Sequence, residues 1–176
     1  MQRKRYDVLS DLIRKNGFKS VIEIGVGNGQ TASFILRNDN SEDFIYCGVD
    51  PYVEYDDSDI NSKADRVVRN KLMMQKVLKE NKDRFVLHKN YSDDASVFFE
   101  DNSVDLVFID GNHKYDWVTN DITCYWSKIK VGGIMAFHDY DREKAFPGVK
   151  RAVDEFIRRN KFELLYDTDV YYVCKK

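Results

Sequence analysis

The sequence predicts an α/β fold in which helices cover both faces of a mostly parallel β-sheet. Short apolar runs of strand length alternate along the chain with longer segments of helical apolar spacing. A glycine-rich turn joins the first predicted strand to the next helix, and polar residues follow directly after several strands. Because ligands of open parallel sheets bind at the carboxyl ends of the strands, these polar residues also predict where a functional site lies.

The first half of the chain contains predicted helices and strands in alternation. The helices cover residues 6–16, 31–37 and 64–81, and the strands cover residues 21–24, 44–50 and 84–89. The long helix is predicted to pack on the sheet through its apolar residues Val67, Val68, Leu72, Met73, Val77 and Leu78. The acidic segment 53–62 has no periodicity, which predicts an exposed loop at the carboxyl edge of the sheet.

The second half continues this alternation. A short predicted helix contains Ala95, Val97 and Phe98, and it is followed by a strand over 104–110 and a helix over 117–128. A glycine turn at 131–133 then leads into a strand over 134–140. Six polar residues fall at or just beyond the end of a predicted strand: Asp50, His88, Asp110, His113, His138 and Asp139. We therefore expect them near one edge of the sheet.

The glycine-rich turn contains Gly25, Gly27, Asn28 and Gly29, and Glu23 stands two residues before its first glycine. Glycines at these positions let backbone N–H groups and a helix N-terminus approach a ligand closely. A dinucleotide fingerprint requires G-x-G-x-x-G, whereas the spacing here is G-x-G-x-G. The turn therefore predicts a nucleotide-like cofactor other than a typical dinucleotide, with the three glycines and Asn28 beside it.

Asp50 ends the second predicted strand and is followed by Pro51 and Tyr52. An acidic residue at this position is suited to accept hydrogen bonds from both hydroxyls of a ribose. NAD and S-adenosylmethionine (SAM) both contain ribose, so Asp50 does not distinguish between them. Tyr91 and Ser92 follow the third strand, where the adenine edge of such a cofactor would lie.

Composition and charge exclude several classes of partner. The chain has 28 basic and 30 acidic residues and a net charge of −2, so it lacks the excess of basic residues that favours binding to nucleic acid or an anionic membrane. No apolar run approaches the roughly 18 residues of a membrane span, and the first residues lack the apolar segment of a signal peptide. We expect one domain over residues 1–176, in a cytoplasmic protein with reduced cysteines.

Two motifs in the second half carry a family resemblance: Asp110-Gly-Asn-His-Lys-Tyr115 and Gly132-Gly-Ile-Met-Ala-Phe-His-Asp-Tyr140. With the segment 148–155, they resemble a bacterial group of small class I SAM-dependent methyltransferases, related to the metal-dependent O-methyltransferases of the catechol and macrolide-sugar types. The resemblance implies a Rossmann-like fold whose seven strands have the order 3-2-1-4-5-7-6. It also implies that residues 162–166 and 170–175 form the last two strands.

The resemblance further implies roles for the residues of these motifs. Asp110, His138 and Asp139 match the positions that hold magnesium. Asp110 also lies beside the cofactor, and Glu23 matches the acidic residue near the amino-acid end of SAM. Imidazole is a poorer magnesium ligand than a carboxylate, so His138 makes manganese an alternative. His113 matches the general base that takes the proton of a small-molecule or sugar hydroxyl, and Lys114 is a second candidate. A histidine ordinarily titrates near neutral pH, which suits that task.

Three other functions are compatible with parts of this sequence. A SAM-binding module that is non-catalytic or depends on a partner for its acceptor is the main alternative, because a compact chain has little material for an acceptor pocket. An NAD-dependent oxidoreductase is disfavoured by Gln30 at the third glycine position and by the absence of a second catalytic domain. Methylation of nucleic-acid bases is disfavoured because the expected Pro-Pro-aromatic and Pro-Cys motifs are missing. The acceptor and the oligomeric state, with a homodimer among the options, stay open.

Overall fold

The computed structural model of the chain describes residues 3–39, 41–54 and 64–176. In chain order the elements are α1 (Arg5–Asn16), β1 (Ser20–Ile24), α2 (Gln30–Asn38), β2 (Ile45–Val49), α3 (Ala64–Glu80), β3 (Phe85–His88), α4 (Ser92–Ser96), β4 (Val104–Ile109), α5 (Tyr115–Trp126), β5 (Ile129–Phe137), α6 (Pro147–Asn160), β6 (Leu165–Asp167) and β7 (Val170–Cys174). The loop predicted at 53–62 lies, apart from its first two residues, outside the described residues.

These strands form a seven-stranded sheet in the order β3-β2-β1-β4-β5-β7-β6. Strands β1 to β5 run parallel to one another, and β7 runs antiparallel to both β5 and β6. The predicted fold and strand order are therefore confirmed. The strand order reverses between β1 and β4, because β2 lies on one side of this pair and β5 on the other. The reversal opens a crevice at the carboxyl ends of β1 and β4, which is where α/β folds bind their ligands.

Each face of the sheet carries an apolar core. Helices α1, α2 and α3 pack on one face through residues such as Leu9, Ile35 and Met74. Helices α4, α5 and α6 pack on the other face through residues such as Ile122 and Val153. Successive residues of β4 alternate between the two cores, as expected for a strand buried on both sides. None of the helices in the described ranges combines the length and the apolar character needed to cross a bilayer.

The predicted apolar face of α3 is partly wrong. The helix buries Asn70, Met74 and Val77, whereas Val68, Leu72 and Met73 are exposed. Residues 70, 74 and 77 are four and three positions apart and share one side of the helix, and residues 68 and 72 lie on another. The helix carries two apolar stripes, and the sequence pattern alone did not show which one faces the sheet. Val97 and Phe98, expected in the short helix α4, follow it and are also exposed.

The glycine turn predicted at 131–133 lies inside β5 rather than before it. The pairing of β5 with β4 shifts register between Val104 and Leu106, and Gly132 has a φ of +84°. The glycines therefore form an irregularity within one strand, which is how a strand accommodates extra residues without ending. Strand β6 is shorter than expected and begins at Leu165 rather than at 162.

Gly25 holds the glycine loop against the end of β4. Its φ is +86°, and a Cβ atom at this position would stand 2.3 Å from the carbonyl oxygen of Asp110. Gly17, the residue that ends α1, has a similar φ of +66°, but no atom of the described residues lies within 4 Å of a Cβ placed there. Both glycines therefore have a left-handed backbone conformation that other residues rarely adopt. At Gly25, in addition, the neighbouring backbone leaves no room for a side chain.

We expect Gly25→Ala to lower the free energy of unfolding by about 1–3 kcal/mol more than Gly17→Ala. The two substitutions share the cost of a side chain at positive φ, so the difference between them measures the overlap with the backbone of Asp110. Urea denaturation of both variants and the parent chain gives this difference. Equal losses would show that the loop can move away from β4 without cost.

Candidate functional site

A cavity of about 680 Å³ lies at the carboxyl ends of the parallel strands. Its lining includes these predicted site residues: Gly25, Gly27, Asn28, Asp50, Pro51, Tyr52, Tyr91, Ser92, Asp110, His113, His138 and Asp139. Glu23, Gly29 and Lys114, which were also predicted, are not part of the lining. The structure thus brings the residues predicted for the cofactor and those predicted for chemistry to the same cavity.

Asp50 connects the end of β2 to the glycine loop. One of its carboxylate oxygens accepts a hydrogen bond from the Gly27 N–H at 2.8 Å, and the other accepts one from the Tyr52 N–H at 2.8 Å. The Tyr52 hydroxyl in turn donates to the Gly27 carbonyl oxygen at 2.8 Å. Burial raises the pKa of Asp50, and the two backbone N–H donors oppose that rise. The shape of the loop around Gly27 therefore depends on this carboxylate.

Glu23 lies beneath the cavity. Its side chain is buried in β1 and accepts a hydrogen bond from the Tyr46 hydroxyl at 2.9 Å. Burial, and then the nearby negative charge of Asp110, raise the pKa of Glu23 to about 8. A contact between Glu23 and a cofactor stays a prediction, because no atom of its side chain reaches the cavity wall in this structure.

The residues predicted for chemistry form a charged cluster around Asp139. One carboxylate oxygen of Asp139 lies 3.1 Å from His113 Nε2, and the other lies 3.0 Å from the guanidinium of Arg142. His138 Nδ1 lies 3.0 Å from an oxygen of Asp110 and 3.0 Å from the same Asp139 oxygen that His113 approaches. Arg5 approaches the other oxygen of Asp110 at 3.3 Å.

The charges in this cluster determine how its members titrate. Burial alone would lower the pKa of His138, but the adjacent carboxylates of Asp110 and Asp139 raise it to about 10. Burial alone would raise the pKa of Asp139, but the hydrogen bonds with His113 and His138, and the one from Arg142, hold it well below its usual range. At neutral pH, His138 is therefore an imidazolium beside ionised Asp139.

Donor atoms of Asp110, His113 and Asp139 all lie within 4.8 Å of one another, a spacing that a metal ion could bridge. This set differs from the predicted metal ligands, because His113 takes the place of His138. An imidazolium has no free lone pair, so His138 could bind a metal only after losing its proton. Within the described ranges, the two carboxylates are common to both sets.

Residues 22–140 match a protein-family model described as a methyltransferase domain. The chain belongs to this methyltransferase family. The matched range runs from β1 through the glycine loop to the His138-Asp139 pair. The resemblance to class I SAM-dependent methyltransferases that the motifs indicated is thereby confirmed.

Individual proteins similar to this methyltransferase domain extend the comparison. The uncharacterized protein R132 of Acanthamoeba polyphaga mimivirus is 29% identical over 147 residues, which are 77% of this chain and 58% of that relative. An O-methyltransferase from Bacillus cereus, solved in complex with SAH, superimposes with a TM-score of 0.72 at 13% identity, over 99% of this chain and 82% of its own. CalS11, a TDP-rhamnose 3'-O-methyltransferase of calicheamicin biosynthesis, gives a TM-score of 0.70 at 16% identity, over 97% of this chain and 81% of its own. The two solved structures share the fold.

Several residues of the methyltransferase site were missed by sequence reasoning. Arg5 reaches Asp110 from helix α1, and no local pattern marked it. Phe146 stacks on the His113 ring, with centroids 3.8 Å apart and an angle of 18° between the planes. A Cβ on Gly148 would stand 2.4 Å from the His113 carbonyl oxygen, so this glycine lets α6 begin directly against the loop that carries His113. The motif containing Gly148 was recognised, but its contact with His113 was not.

The raised pKa of Glu23 predicts a pH-dependent stability. Between the ordinary pKa of 4.5 and the folded value of about 8, the folded domain keeps a proton that the unfolded chain has lost. The free energy of unfolding therefore falls as pH rises through this window, by up to about 1.4 kcal/mol per pH unit for one group. We expect Glu23→Gln to lose less stability than the parent between about pH 5.5 and 7.5.

Urea denaturation at several pH values measures this difference, with exposed Glu42→Gln as the control. Other groups with raised pKa values, such as Asp121 and His138, contribute to both proteins and cancel in the comparison. Parallel stability curves for the parent and Glu23→Gln would show that Glu23 does not hold the extra proton.

Proposed function

We propose that this chain is a SAM-dependent O-methyltransferase that acts on a hydroxyl of a small molecule or a sugar. The observation that carries the proposal is that one cavity joins the glycine loop and Asp50 to the cluster of Asp110, His113 and Asp139. The first group suits a ribose-containing cofactor and the second suits activation of a hydroxyl. The printed names of the Bacillus cereus and CalS11 proteins, an O-methyltransferase with SAH and a sugar O-methyltransferase, are consistent with it.

The residues of the cavity fit SAM. A volume of about 680 Å³ is in the range of small-ligand sites. Among the described residues, the atom nearest to a Cβ placed on Gly27 would be Asn70 Nδ2 at 3.7 Å, so the bare glycine leaves room above the loop. When bound, SAM supplies a methyl group on a sulfonium sulfur. The loop and Asp50 would hold the cofactor in the same cavity as the acceptor groups.

His113 is the proposed general base. Its Nδ1 is buried, so Nε2, which lies 3.1 Å from Asp139 Oδ2, is the nitrogen that would take the proton of an acceptor hydroxyl once the acceptor displaces this contact. The carboxylate of Asp139 would then stand beside the imidazolium that forms and stabilise it. The stacked Phe146 ring limits rotation of the imidazole. Lys114 remains the second candidate, although its position outside the cavity lining favours His113.

A divalent cation would be held by Asp110 and Asp139, with either His113 or a deprotonated His138 as the third ligand. Carboxylate oxygens suit magnesium, and an imidazole in the set makes manganese a good alternative. When bound, such an ion would lower the pKa of an acceptor hydroxyl. His113 cannot ligate the ion and act as the base with the same nitrogen, so its role must be separated by experiment.

We expect the protein to bind SAM and SAH in isothermal titration and to show no response to NAD. Asp50→Ala should weaken SAH binding by about tenfold, because it removes both the proposed ribose contact and the hydrogen bond that shapes the loop at Gly27. Asp83→Ala, an exposed aspartate before β3, serves as the control. Absence of SAM binding would refute the proposed function, and unchanged affinity of Asp50→Ala would remove Asp50 from the cofactor site.

We expect His113→Asn to reduce turnover of catechols and nucleoside-diphosphate sugars by about 100-fold or more, with little change in SAH affinity. Asp139→Asn should reduce turnover and also weaken Mn²⁺ binding, measured by electron paramagnetic resonance of the free ion. If His113→Asn weakens Mn²⁺ binding as much as Asp139→Asn does, His113 is a ligand rather than the base. If Lys114→Met causes the larger loss of turnover, the lysine is the base.

Two further outcomes bear on the proposal as a whole. If the parent protein binds no Mn²⁺ and chelators leave turnover unchanged, the metal has no part in the reaction. Tight SAH binding without turnover of any hydroxyl acceptor would instead favour the alternative of a SAM-binding module that depends on a partner.

A further inference from the structure

The sheet ends on one side at β3, whose outer edge pairs with no other strand among the described residues. The carbonyl oxygens of Arg84 and His88 accept hydrogen bonds from the N–H groups of Tyr46 and Asp50, at 2.8 Å and 3.1 Å, and therefore point toward β2. Backbone groups alternate in direction along a strand, so the N–H and C=O groups of Leu87 point away from the sheet. Within the described ranges, they are open to a further strand.

An apolar patch lies beside this open edge. Val86 is 46% exposed, and Val97 and Phe98, which follow α4, are 76% and 60% exposed. The ring of His88 stacks on Phe98 with centroids 5.1 Å apart, and His88 shares one face of the strand with Val86. Large apolar side chains grouped on a surface indicate a contact with another molecule. We call the outer edge of β3 and these four side chains the β3 surface.

The open backbone groups of β3 match those of a second copy of the same chain. In an antiparallel pair of identical strands related by a two-fold axis, one residue faces its own equivalent. If Leu87 is that residue, its outward N–H and C=O groups exchange two hydrogen bonds with Leu87 of the second copy. The centre of the strand therefore suits self-pairing.

The ends of the strand favour the same register. Lys89 of each copy would face Phe85 of the other, and its outward N–H would donate to the outward carbonyl oxygen of Phe85. The Phe85 N–H is not needed there, and it already donates to the Asn81 carbonyl oxygen at 2.9 Å. A two-fold axis at Val86 would instead require the Phe85 N–H as a donor to Leu87 of the second copy. Pairing about Leu87 therefore uses the open groups better.

Pairing about Leu87 also brings the two apolar patches together. Val86 of each copy would face His88 of the other, in the type of antiparallel pair whose side chains lie closest. Because Phe98 stacks on His88, Val86 would pack on the His88–Phe98 stack of the second copy. The exposed apolar side chains of both copies would thus cover one another.

We propose that the β3 surface is the interface of a homodimer, in which two copies pair antiparallel through β3 with Leu87 at the two-fold axis. The two sheets join into one continuous sheet across this axis. The residues of the β3 surface are not part of the cavity lining, so the inference does not depend on the proposed function. A short strand and a small patch make a modest interface, for which we expect a dissociation constant of about 1–50 µM.

Analytical ultracentrifugation of the full chain, from about 1 to 200 µM, measures this association. We expect the parent protein to shift from monomer to dimer over this range. Val86→Asp and Phe98→Asp should each weaken the dimer by at least about tenfold, because each buries an unpaired charge in the interface. Val131→Asp, at a 73% exposed position on β5, serves as the control and should leave the dimer unchanged. Thermal melts identify a variant that does not fold, and the other variant then carries the test.

Cysteine cross-linking tests the register. Facing residues of a hydrogen-bonded antiparallel pair have Cα atoms about 5.5 Å apart, which a disulfide can span. Leu87→Cys should therefore form a covalent dimer on mild oxidation. Val86→Cys should not exceed the background of the parent protein, which has three cysteines of its own, because Val86 would face His88 of the second copy.

Each outcome has a distinct meaning. A parent protein that stays monomeric up to about 200 µM overturns the proposal, and so does a dimer that neither aspartate variant weakens. Cross-linking through Val86→Cys instead of Leu87→Cys overturns the proposed pairing. A monomer that binds SAH leaves the proposed function standing, whereas a dimer that does not bind SAM or SAH refutes the proposed function and leaves this inference in place.

Discussion

The close approach of the Gly25 backbone to the carbonyl oxygen of Asp110 is the contact on which the whole cavity depends. It places the loop after β1 directly against the loop after β4, so that a cofactor on one loop lies beside the acceptor groups on the other. Asp50 completes this arrangement by bonding the next turn of the glycine loop to the end of β2. Three parallel strands thus deliver their carboxyl ends to one small volume, as the topology of the sheet requires.

At the acceptor end of the cavity, nearby cationic groups balance the negative charges of Asp110 and Asp139. Asp110 and Asp139 are both withdrawn from solvent, and three cationic groups surround them: Arg5 from α1, and His138 and Arg142, which lie close to Asp139 in the sequence. Burial of two close carboxylates without such partners would be strongly unfavourable. A divalent cation carries the same sign of charge as these groups, and it would compete with the His138 proton for the same oxygens.

Local sequence patterns predicted most of the fold and the residues that follow strands, because apolar runs, glycine turns and terminal carboxylates are short-range features. They did not predict contacts made across the chain. Arg5 lies more than a hundred residues before its partner Asp110, so no local pattern connects the two. Helix α3 has two apolar stripes, and the stripe that faces the sheet is the one that contains Met74. Met74 packs under the loop at Gly29, so closely that a Cβ atom on Gly29 would stand 2.8 Å from the Met74 sulfur atom.

The residues that lead from β5 into α6 both support His113 and line the cavity. Phe146 stacks on His113, and Gly148 lets the start of α6 press on the backbone of the same histidine. Phe146 and Arg142 also form part of the cavity wall that an acceptor would touch. Divergence or engineering of this wall to accommodate a new acceptor would therefore shift the imidazole as well. Changes in substrate range should come with changes in turnover, and substitutions at the wall would need compensation in the loop that carries His113.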